Sequence, residues 1–167
     1  MASAFDDLIA ANAAYADGFA LGGFDGIAHA GVAMLTCMDS RIDPLGMIGL
    51  VPGDAKIIRN PGGRLTDSAL EGLLLGVHLL GVQRILLVAH TRCAVASMTE
   101  EEIRQKVAAA SGQPADEMTW HIVEDQRQAL EHDVARLRAH RLMPDRVALG
   151  GFLYDVDTGL LDAILYG

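Results

Sequence analysis

The chain of 167 residues has the length of one ordinary domain, and its 51% of hydrophobic residues is enough to build a core around a sheet. Its 13 Lys and Arg against 22 Asp and Glu give a formal net charge of -9, which argues against nucleic acid or an anionic membrane surface as the main partner. We therefore expect one domain over residues 1–167 with an acidic surface.

The first predicted element is a helix over residues 3–17, in which apolar side chains recur near helical spacing. We interpret about the first 20 residues (1–20) as a helical arm that packs on a partner. After a glycine-rich turn, the run GVAMLTC over residues 31–37 is apolar on both faces, which is typical of a strand inside a parallel sheet. This strand ends at Cys37.

The second predicted strand is AKIIRN, residues 55–60, and the turn Asn60-Pro61-Gly62-Gly63 ends it sharply. A helix is predicted next, because Ser68 followed by Glu71 forms a capping-box pattern and Gly81 marks a helix end. The apolar surface of this helix is too wide for an exposed helix, so we expect it to pack on the sheet.

The remaining elements continue the alternation of strands and helices. Residues 83–89 predict a third strand, again apolar on both faces. Thr99 and Glu102 form a second capping box at the start of a helix, and residues 121–140 predict a longer amphipathic helix. Residues 146–161 predict a strand, a turn and a short return.

This element order predicts the fold class. A strand, a helix and a second strand along the chain produce a parallel pair, because the crossover helix returns the chain to the same end of the sheet. We predict an α/β fold with a central, mostly parallel sheet of order 2-1-3-4 flanked by helices. A short C-terminal hairpin or edge strand completes it.

The sequence also bears on location. The start of the chain has no basic segment followed by an apolar one, so no secretory signal is predicted. The longest apolar stretch, residues 69–82, is too short for a membrane span and is interrupted by Glu71 and His78. With only two cysteines and no export signal, we expect a cytoplasmic protein in which the cysteines are metal ligands or redox groups.

Three residues at strand ends predict a metal site. Cys37 ends the first strand, His90 ends the third, and Cys93 follows three residues later. In an open parallel sheet ligands bind at the carboxyl ends of the strands, and the order 2-1-3 places Cys37 and His90 side by side there. Two thiolates and one imidazole form a tetrahedral zinc site with one open position, as in catalytic zinc. The alternatives are small buried cysteines with a hydrogen-bonded histidine, or a redox pair.

Two charged residues follow Cys37 on the same loop. Asp39 and Arg41 are close enough in sequence to form a bidentate ion pair beside the metal. Asp39 would either accept a proton or hydrogen bond from zinc-bound water or ligate zinc itself, and Arg41 decides between these by holding the carboxylate away from the metal. A solvated surface pair of little energetic consequence is the alternative.

The glycines after the second strand are expected at the same rim. Glycine lets the backbone approach a small molecule closely and leaves amide hydrogens directed at it, so we place Gly62 in the substrate pocket. A plain turn, in which Gly and Pro serve only the backbone angles, explains these residues equally well.

Together these motifs resemble the β-class carbonic anhydrases. That family carries a C-x-D-[SA]-R segment followed by H-x-x-C, matched here by residues 37–41 and 90–93. The segment 59–62, Arg-Asn-Pro-Gly, is similar to the R-N-A-G turn of the family. The resemblance covers about residues 30–167 and is strongest to the short, minimal members.

The resemblance implies a single β-carbonic-anhydrase-like domain with Zn²⁺ held by Cys37, His90 and Cys93. It implies reversible hydration of carbon dioxide to bicarbonate and a proton by a zinc-bound hydroxide. A homodimer or dimer-based oligomer is implied as well, with the N-terminal helix reaching over the neighbour. Asp39 would take the fourth zinc position in a closed, inactive form, or pair with Arg41 in an open, active form.

Two family positions differ in this chain, and further functions stay open. Ala94 stands where the family usually has Gly, and Pro61 replaces the usual Ala, although neither change removes a ligand. Hydrolysis of a related heterocumulene, carbonyl sulfide or carbon disulfide, would use the same nucleophile. The sequence is also compatible with a non-catalytic zinc module in which Asp39 is a permanent fourth ligand, and with a thiol redox protein.

Overall fold

The computed structural model describes residues 3–166, so residues 1 and 2 of the predicted arm and Gly167 lie outside the described residues. Nine helices and strands follow one another in these residues: α1 Asp6–Asp17, β1 Val32–Cys37, β2 Ala55–Asn60, α2 Asp67–Leu79, β3 Arg84–His90, α3 Glu100–Ser111, α4 Gln126–Arg138, β4 Ala148–Tyr154 and β5 Leu161–Tyr166. Three short 3-10 turns lie in the connections: Gly46–Ile48, Pro61–Gly63 and Ala94–Ala96.

The five described strands form one sheet in the order β2-β1-β3-β4-β5. The first four strands are parallel to their neighbours, and β5 pairs antiparallel with β4 at the edge. The predicted α/β fold, the order 2-1-3-4 and the C-terminal edge strand are thus confirmed. Because β2 and β3 lie on opposite sides of β1, the strand order reverses at the end of β1, where Cys37 stands opposite Asn60.

The main core lies between the sheet and two helices. α2 contributes Leu73 and Val77, α4 contributes Leu130 and Leu137, and all four side chains belong to one buried cluster with apolar residues of β1 and β3. β1 is buried along its whole length, as its two apolar faces predict for a central parallel strand. This packing fixes the carboxyl ends of β1 and β3 relative to each other.

The start of α2 differs from the prediction. α2 begins at Asp67 because the residue before it, Thr66, caps the helix: its hydroxyl accepts a hydrogen bond from the amide of Ala69. Ser68 lies inside the helix, so the predicted start there was wrong. Thr66 and Ser68 both carry a hydroxyl suited to capping, and the fold uses the first. The capping box of Thr99 and Glu102 at α3 is confirmed.

The predicted helix over 121–140 is shorter, since α4 begins at Gln126 with Asp125 as its cap. Residues 121–125 leave the helical path because the amide of Val123 donates to the carbonyl of Val95 at 2.8 Å, and Val123 is buried there. A contact between distant segments therefore replaces the first turn that the amphipathic pattern predicts.

Helix α1 lies outside the core. None of its residues is buried in the described part of the chain, and the side chains of Leu8, Ile9 and Tyr15 are more than half exposed. An apolar helix surface of this kind is typical of a contact with another molecule. Among residues 3–166, no helix has the length and apolar character needed to cross a membrane.

A buried ion pair joins α4 to the segment that follows the Pro61–Gly63 turn. The carboxylate of Asp133, which is 3% exposed, accepts hydrogen bonds from Nε of Arg64 at 2.7 Å and from the amide of Leu65 at 3.0 Å. Burial alone would raise the pKa of Asp133, but these hydrogen bonds and the charge of Arg64 outweigh it and hold the pKa below its ordinary value.

We expect Asp133→Asn to lower the free energy of unfolding by about 3 kcal/mol at pH 7, because the charge of Arg64 then loses its buried partner. The folded-state pKa lies below the unfolded value of about 3.9, so the contribution of the pair is complete above that pH and is lost as the pH falls through the folded-state pKa. The stability gap between wild type and variant should therefore narrow in acid.

Urea unfolding at pH 7 and at successively lower pH measures both effects. Glu131→Gln is the matched control on the same helix, because its contact with Arg127 at 3.9 Å is exposed and should contribute at most a few tenths of a kcal/mol, about 0.5 or less. An Asp133→Asn variant as stable as the control at pH 7 would contradict the expectation.

Candidate active site

Three donor side chains converge at the carboxyl ends of β1 and β3. The sulfurs of Cys37 and Cys93 and a ring nitrogen of His90 all lie within 4.8 Å of one another, and all three residues are buried. The two sulfurs are 4.0 Å apart. Two sulfurs at tetrahedral positions 2.3 Å from zinc would be separated by about 3.8 Å, so the observed spacing suits zinc.

The orientation of His90 tests whether a metal fits. Its Nδ1 donates to the carbonyl oxygen of Thr91 at 2.9 Å, which leaves Nε2 with a free lone pair. Nε2 is buried and has no hydrogen-bond partner among the described residues. A buried polar atom without a partner costs about 1–3 kcal/mol, and a cation shared with the two sulfurs would remove that cost. The donor set therefore fits a metal.

The two thiols also favour a cation between them. The pKa of Cys37 lies well below its ordinary value because its sulfur accepts hydrogen bonds, first from the thiol of Cys93 and then from the amide of Gly62, and these outweigh the effect of burial. The pKa of Cys93 is raised because its thiol is hydrogen-bonded to Cys37 and would ionise beside that thiolate. A dication at the centre relieves this repulsion and allows both sulfurs to be thiolates.

The glycine turn after β2 packs directly against Cys37. The amide of Gly62 donates to the sulfur of Cys37 at 3.3 Å, a contact that the sequence motif did not reveal. Gly63 has a φ of +64°, and a Cβ there would lie 2.9 Å from the carbonyl oxygen of Val88 and 3.0 Å from the amide nitrogen of Cys37. Gly63 thus lets the turn approach both strands, which is a role that sequence spacing could not assign.

Asp39 and Arg41 form the bidentate pair that their spacing predicts. Nε and one terminal nitrogen of Arg41 donate to the two carboxylate oxygens of Asp39 at 2.8 and 2.7 Å. Hydrogen bonds from Arg41 hold the pKa of Asp39 well below its usual range, so the carboxylate is ionised at neutral pH. Oδ2 of Asp39 lies 4.0 Å from Nε2 of His90, which places the pair beside the three donors.

Arg59 organises the loop that carries Cys37 and Asp39. From its position on β2, its guanidinium donates to the carbonyl oxygens of Cys37 at 2.9 Å, Asp39 at 2.5 Å and Ile42 at 3.3 Å. One side chain therefore satisfies three backbone acceptors of an irregular loop. The cation next to the carboxyl end of β2, one residue before Asn60, was the available signal for this role.

A cavity of about 430 Å³ lies against the two ligand-bearing loops. Met38 and Ala94, each directly after one of the cysteines, line it together with Pro61, Val95 and Trp120. These side chains are apolar, so the cavity suits a small uncharged molecule better than an ion.

Comparison with known proteins gives a consistent result. A family model described as carbonic anhydrase matches residues 32–161. The chain is 33% identical over 166 residues to β-carbonic anhydrase 1 of Mycobacterium bovis, covering 95% of this chain and 96% of the relative. The crystal structure of a carbonic anhydrase from Streptococcus mutans superposes with a TM-score of 0.86 at 33% identity, and the match covers 99% of each chain.

A second activity occurs among the relatives. A carbon disulfide hydrolase from an Acidianus species is 28% identical over 148 residues, covering 75% of this chain and 72% of the relative. Proteins named for two different activities, carbonic anhydrase and carbon disulfide hydrolase, are therefore similar to this chain along most of its length.

Proposed function

Since the chain belongs to the β-class carbonic anhydrases, we propose that it catalyses the reversible hydration of carbon dioxide to bicarbonate and a proton, with zinc held by Cys37, His90 and Cys93. The observation that carries the proposal is the convergence of these three buried donors, with Nε2 of His90 lacking a hydrogen-bond partner among the described residues. When bound, zinc would lower the pKa of a water molecule to about 7 and so supply hydroxide as the nucleophile.

Asp39 and Arg41 have complementary roles in this proposal. Both oxygens of Asp39 accept hydrogen bonds from Arg41, so the carboxylate is not free to act as a fourth ligand. Its Oδ2, which lies 4.0 Å from Nε2 of His90, can accept a hydrogen bond from the attacking water and so orient it. This pairing argues against a closed, non-catalytic zinc module.

The apolar cavity supports a neutral linear substrate. Carbon dioxide carries no charge and makes weak hydrogen bonds, so apolar walls at the two loops would admit it while offering little to ions. Asn60 and Pro61 line this pocket. Gly62, predicted at the same rim, is buried behind them with its amide on the sulfur of Cys37, so its proposed role is to support that ligand next to the pocket.

The decisive variant is Asp39→Asn, which keeps the size of the side chain and removes its charge. We expect zinc content to be unchanged and carbon dioxide hydration to fall by about a hundredfold, because the charged hydrogen-bond acceptor beside the attacking water is lost. Stopped-flow measurement with a pH indicator gives the rate, and elemental analysis gives the metal content.

Asp43→Asn is the control on the same loop. Its Oδ1 caps a short turn by accepting a hydrogen bond from the amide of Gly46, outside the donor cluster, and it should retain full activity. An Asp39→Asn variant that loses its zinc would instead support the closed structural module. A wild-type rate no greater than that of free zinc would refute carbon dioxide hydration.

Hydrolysis of carbon disulfide is the second candidate function. It is favoured by the similarity to the Acidianus enzyme and by the apolar lining of a cavity much larger than either substrate. Supplying carbon disulfide to the zinc-loaded protein and measuring released sulfide distinguishes the two functions, since they share a nucleophile but differ in product.

We also propose a homodimer or a larger assembly of dimers, in which the arm packs on a neighbouring subunit. The support is the exposed apolar surface of α1, including Leu8, Ile9 and Tyr15. Sedimentation equilibrium measures the number of subunits directly. The cytoplasmic location expected from the sequence stays a prediction.

A further inference from the structure

The turn between β4 and β5, residues 155–159, is joined to the segment that carries two of the three donors. The amide of Thr91 donates to the carbonyl oxygen of Tyr154 at 2.9 Å. The hydroxyl of Thr91 accepts from the amide of Val156 at 3.1 Å and donates to Oδ1 of Asp155 at 3.4 Å. The turn and the segment 91–92 therefore hold each other in place.

Arg92 has an unusual backbone conformation within this segment. With a φ of +54°, it is the one non-glycine residue with a positive φ among residues 3–166. An arginine in the left-handed region is strained, so the surrounding contacts must stabilise it. Its guanidinium forms an ion pair with the carboxylate of Asp157 on the β4–β5 turn, and both side chains are more than half exposed.

The backbone of Arg92 also binds the side chain of Arg41. The carbonyl oxygen of Arg92 accepts a hydrogen bond from a terminal nitrogen of Arg41 at 3.2 Å, and the same nitrogen donates to Oδ2 of Asp39 at 2.7 Å. The direction of that carbonyl depends on the backbone angles of Arg92. A change at Arg92 would therefore move the guanidinium that orients Asp39.

We propose that Asp157 is a positioning residue for the Asp39–Arg41 pair. By pairing with Arg92 it stabilises the left-handed conformation, which directs the Arg92 carbonyl at Arg41 and keeps Arg41 on Asp39. Its effect on turnover rests on the proposed function, whereas its effect on the position of Arg41 does not. Because an exposed ion pair contributes little by itself, we expect changes of about two- to fivefold.

The experiment uses both the metal-free and the zinc-loaded protein. In metal-free protein the Nε proton of Arg41, bonded to Asp39 at 2.8 Å, is expected to exchange with water more slowly than that of an unpaired arginine, and NMR can assign it from its absence in Arg41→Lys. We expect Asp157→Asn to accelerate this exchange about two- to fivefold. In zinc-loaded protein it should lower kcat by a similar factor with unchanged zinc content and unchanged Tm.

Two further variants test whether the pairing of Asp157 with Arg92 is the cause. Asp162→Asn removes an exposed acidic charge on β5 and should leave both readouts unchanged. The double variant Arg92→Asp/Asp157→Arg reverses the pair, and aspartate tolerates the left-handed region better than most residues, so it should restore slow exchange. Unchanged exchange in Asp157→Asn, or no restoration in the double variant, would overturn the positioning role. Absence of any carbon dioxide hydration would refute the proposed function and leave the NMR result to decide the positioning role.

Discussion

Cys93→Ser should yield a folded protein that has lost its zinc and with it nearly all activity. The serine hydroxyl occupies the same space but stays protonated at neutral pH and is a poor ligand for a borderline-soft cation. With two of the three donors left, we expect less than about a tenth of one zinc ion per chain. Carbon dioxide hydration should fall by roughly a thousandfold or more, because the nucleophile is no longer generated at neutral pH.

A matched control separates loss of the ligand from disturbance of its loop. The hydroxyl of Ser97 donates to the carbonyl oxygen of Cys93 at 2.7 Å, so Ser97→Ala alters the same loop and keeps the sulfur. This variant should keep its zinc and most of its activity. Elemental analysis and stopped-flow rates for both variants measure the difference, with circular dichroism to verify folding. Full zinc content in Cys93→Ser would show that Cys93 is not a ligand.

The parts of the molecule that could be predicted from sequence are those that depend on local pattern. Residues 31–37 and 83–89 are apolar on both faces, and only the interior of a parallel sheet buries both faces of a strand. Once two such strands are adjacent, their carboxyl ends meet, which is why Cys37, His90 and Cys93 could be grouped from sequence alone.

What sequence did not reveal depends on contacts between distant segments. The pairing of Asp133 with Arg64 joins residues that are 69 positions apart, and no local pattern connects them. The interaction of Arg59 with three carbonyl oxygens depends on the path of a loop without regular structure. The same cause shortens α4, since the hydrogen bond from the amide of Val123 to the carbonyl of Val95 joins two connections that are distant in the sequence.

Gly63→Ala is expected to have the largest effect on stability among the glycine substitutions, because the turn packs against backbone atoms of β1 and β3 at this residue. Any side chain there meets backbone atoms, namely the carbonyl oxygen of Val88 and the amide of Cys37, and neither can move without disturbing β3 or β1. We expect Gly63→Ala to lower the free energy of unfolding by about 3 kcal/mol or more, combining left-handed strain with overpacking. Because the displaced amide belongs to a proposed zinc ligand, the variant should also bind zinc more weakly.

Gly112→Ala is the control that separates the effect of close packing at Gly63 from the effect of its left-handed backbone conformation. Gly112 has a φ of +69°, nearly that of Gly63, but a Cβ there would meet no atom within 4 Å. This control should therefore lose only the left-handed strain, about 1 kcal/mol, and keep its zinc affinity. Urea unfolding and zinc titration of the two variants separate the two contributions. Equal destabilisation by the two substitutions, with zinc binding unchanged in both, would contradict this expectation. The left-handed backbone angle alone would then account for Gly63, and close packing of the turn against β1 and β3 would not shape the site.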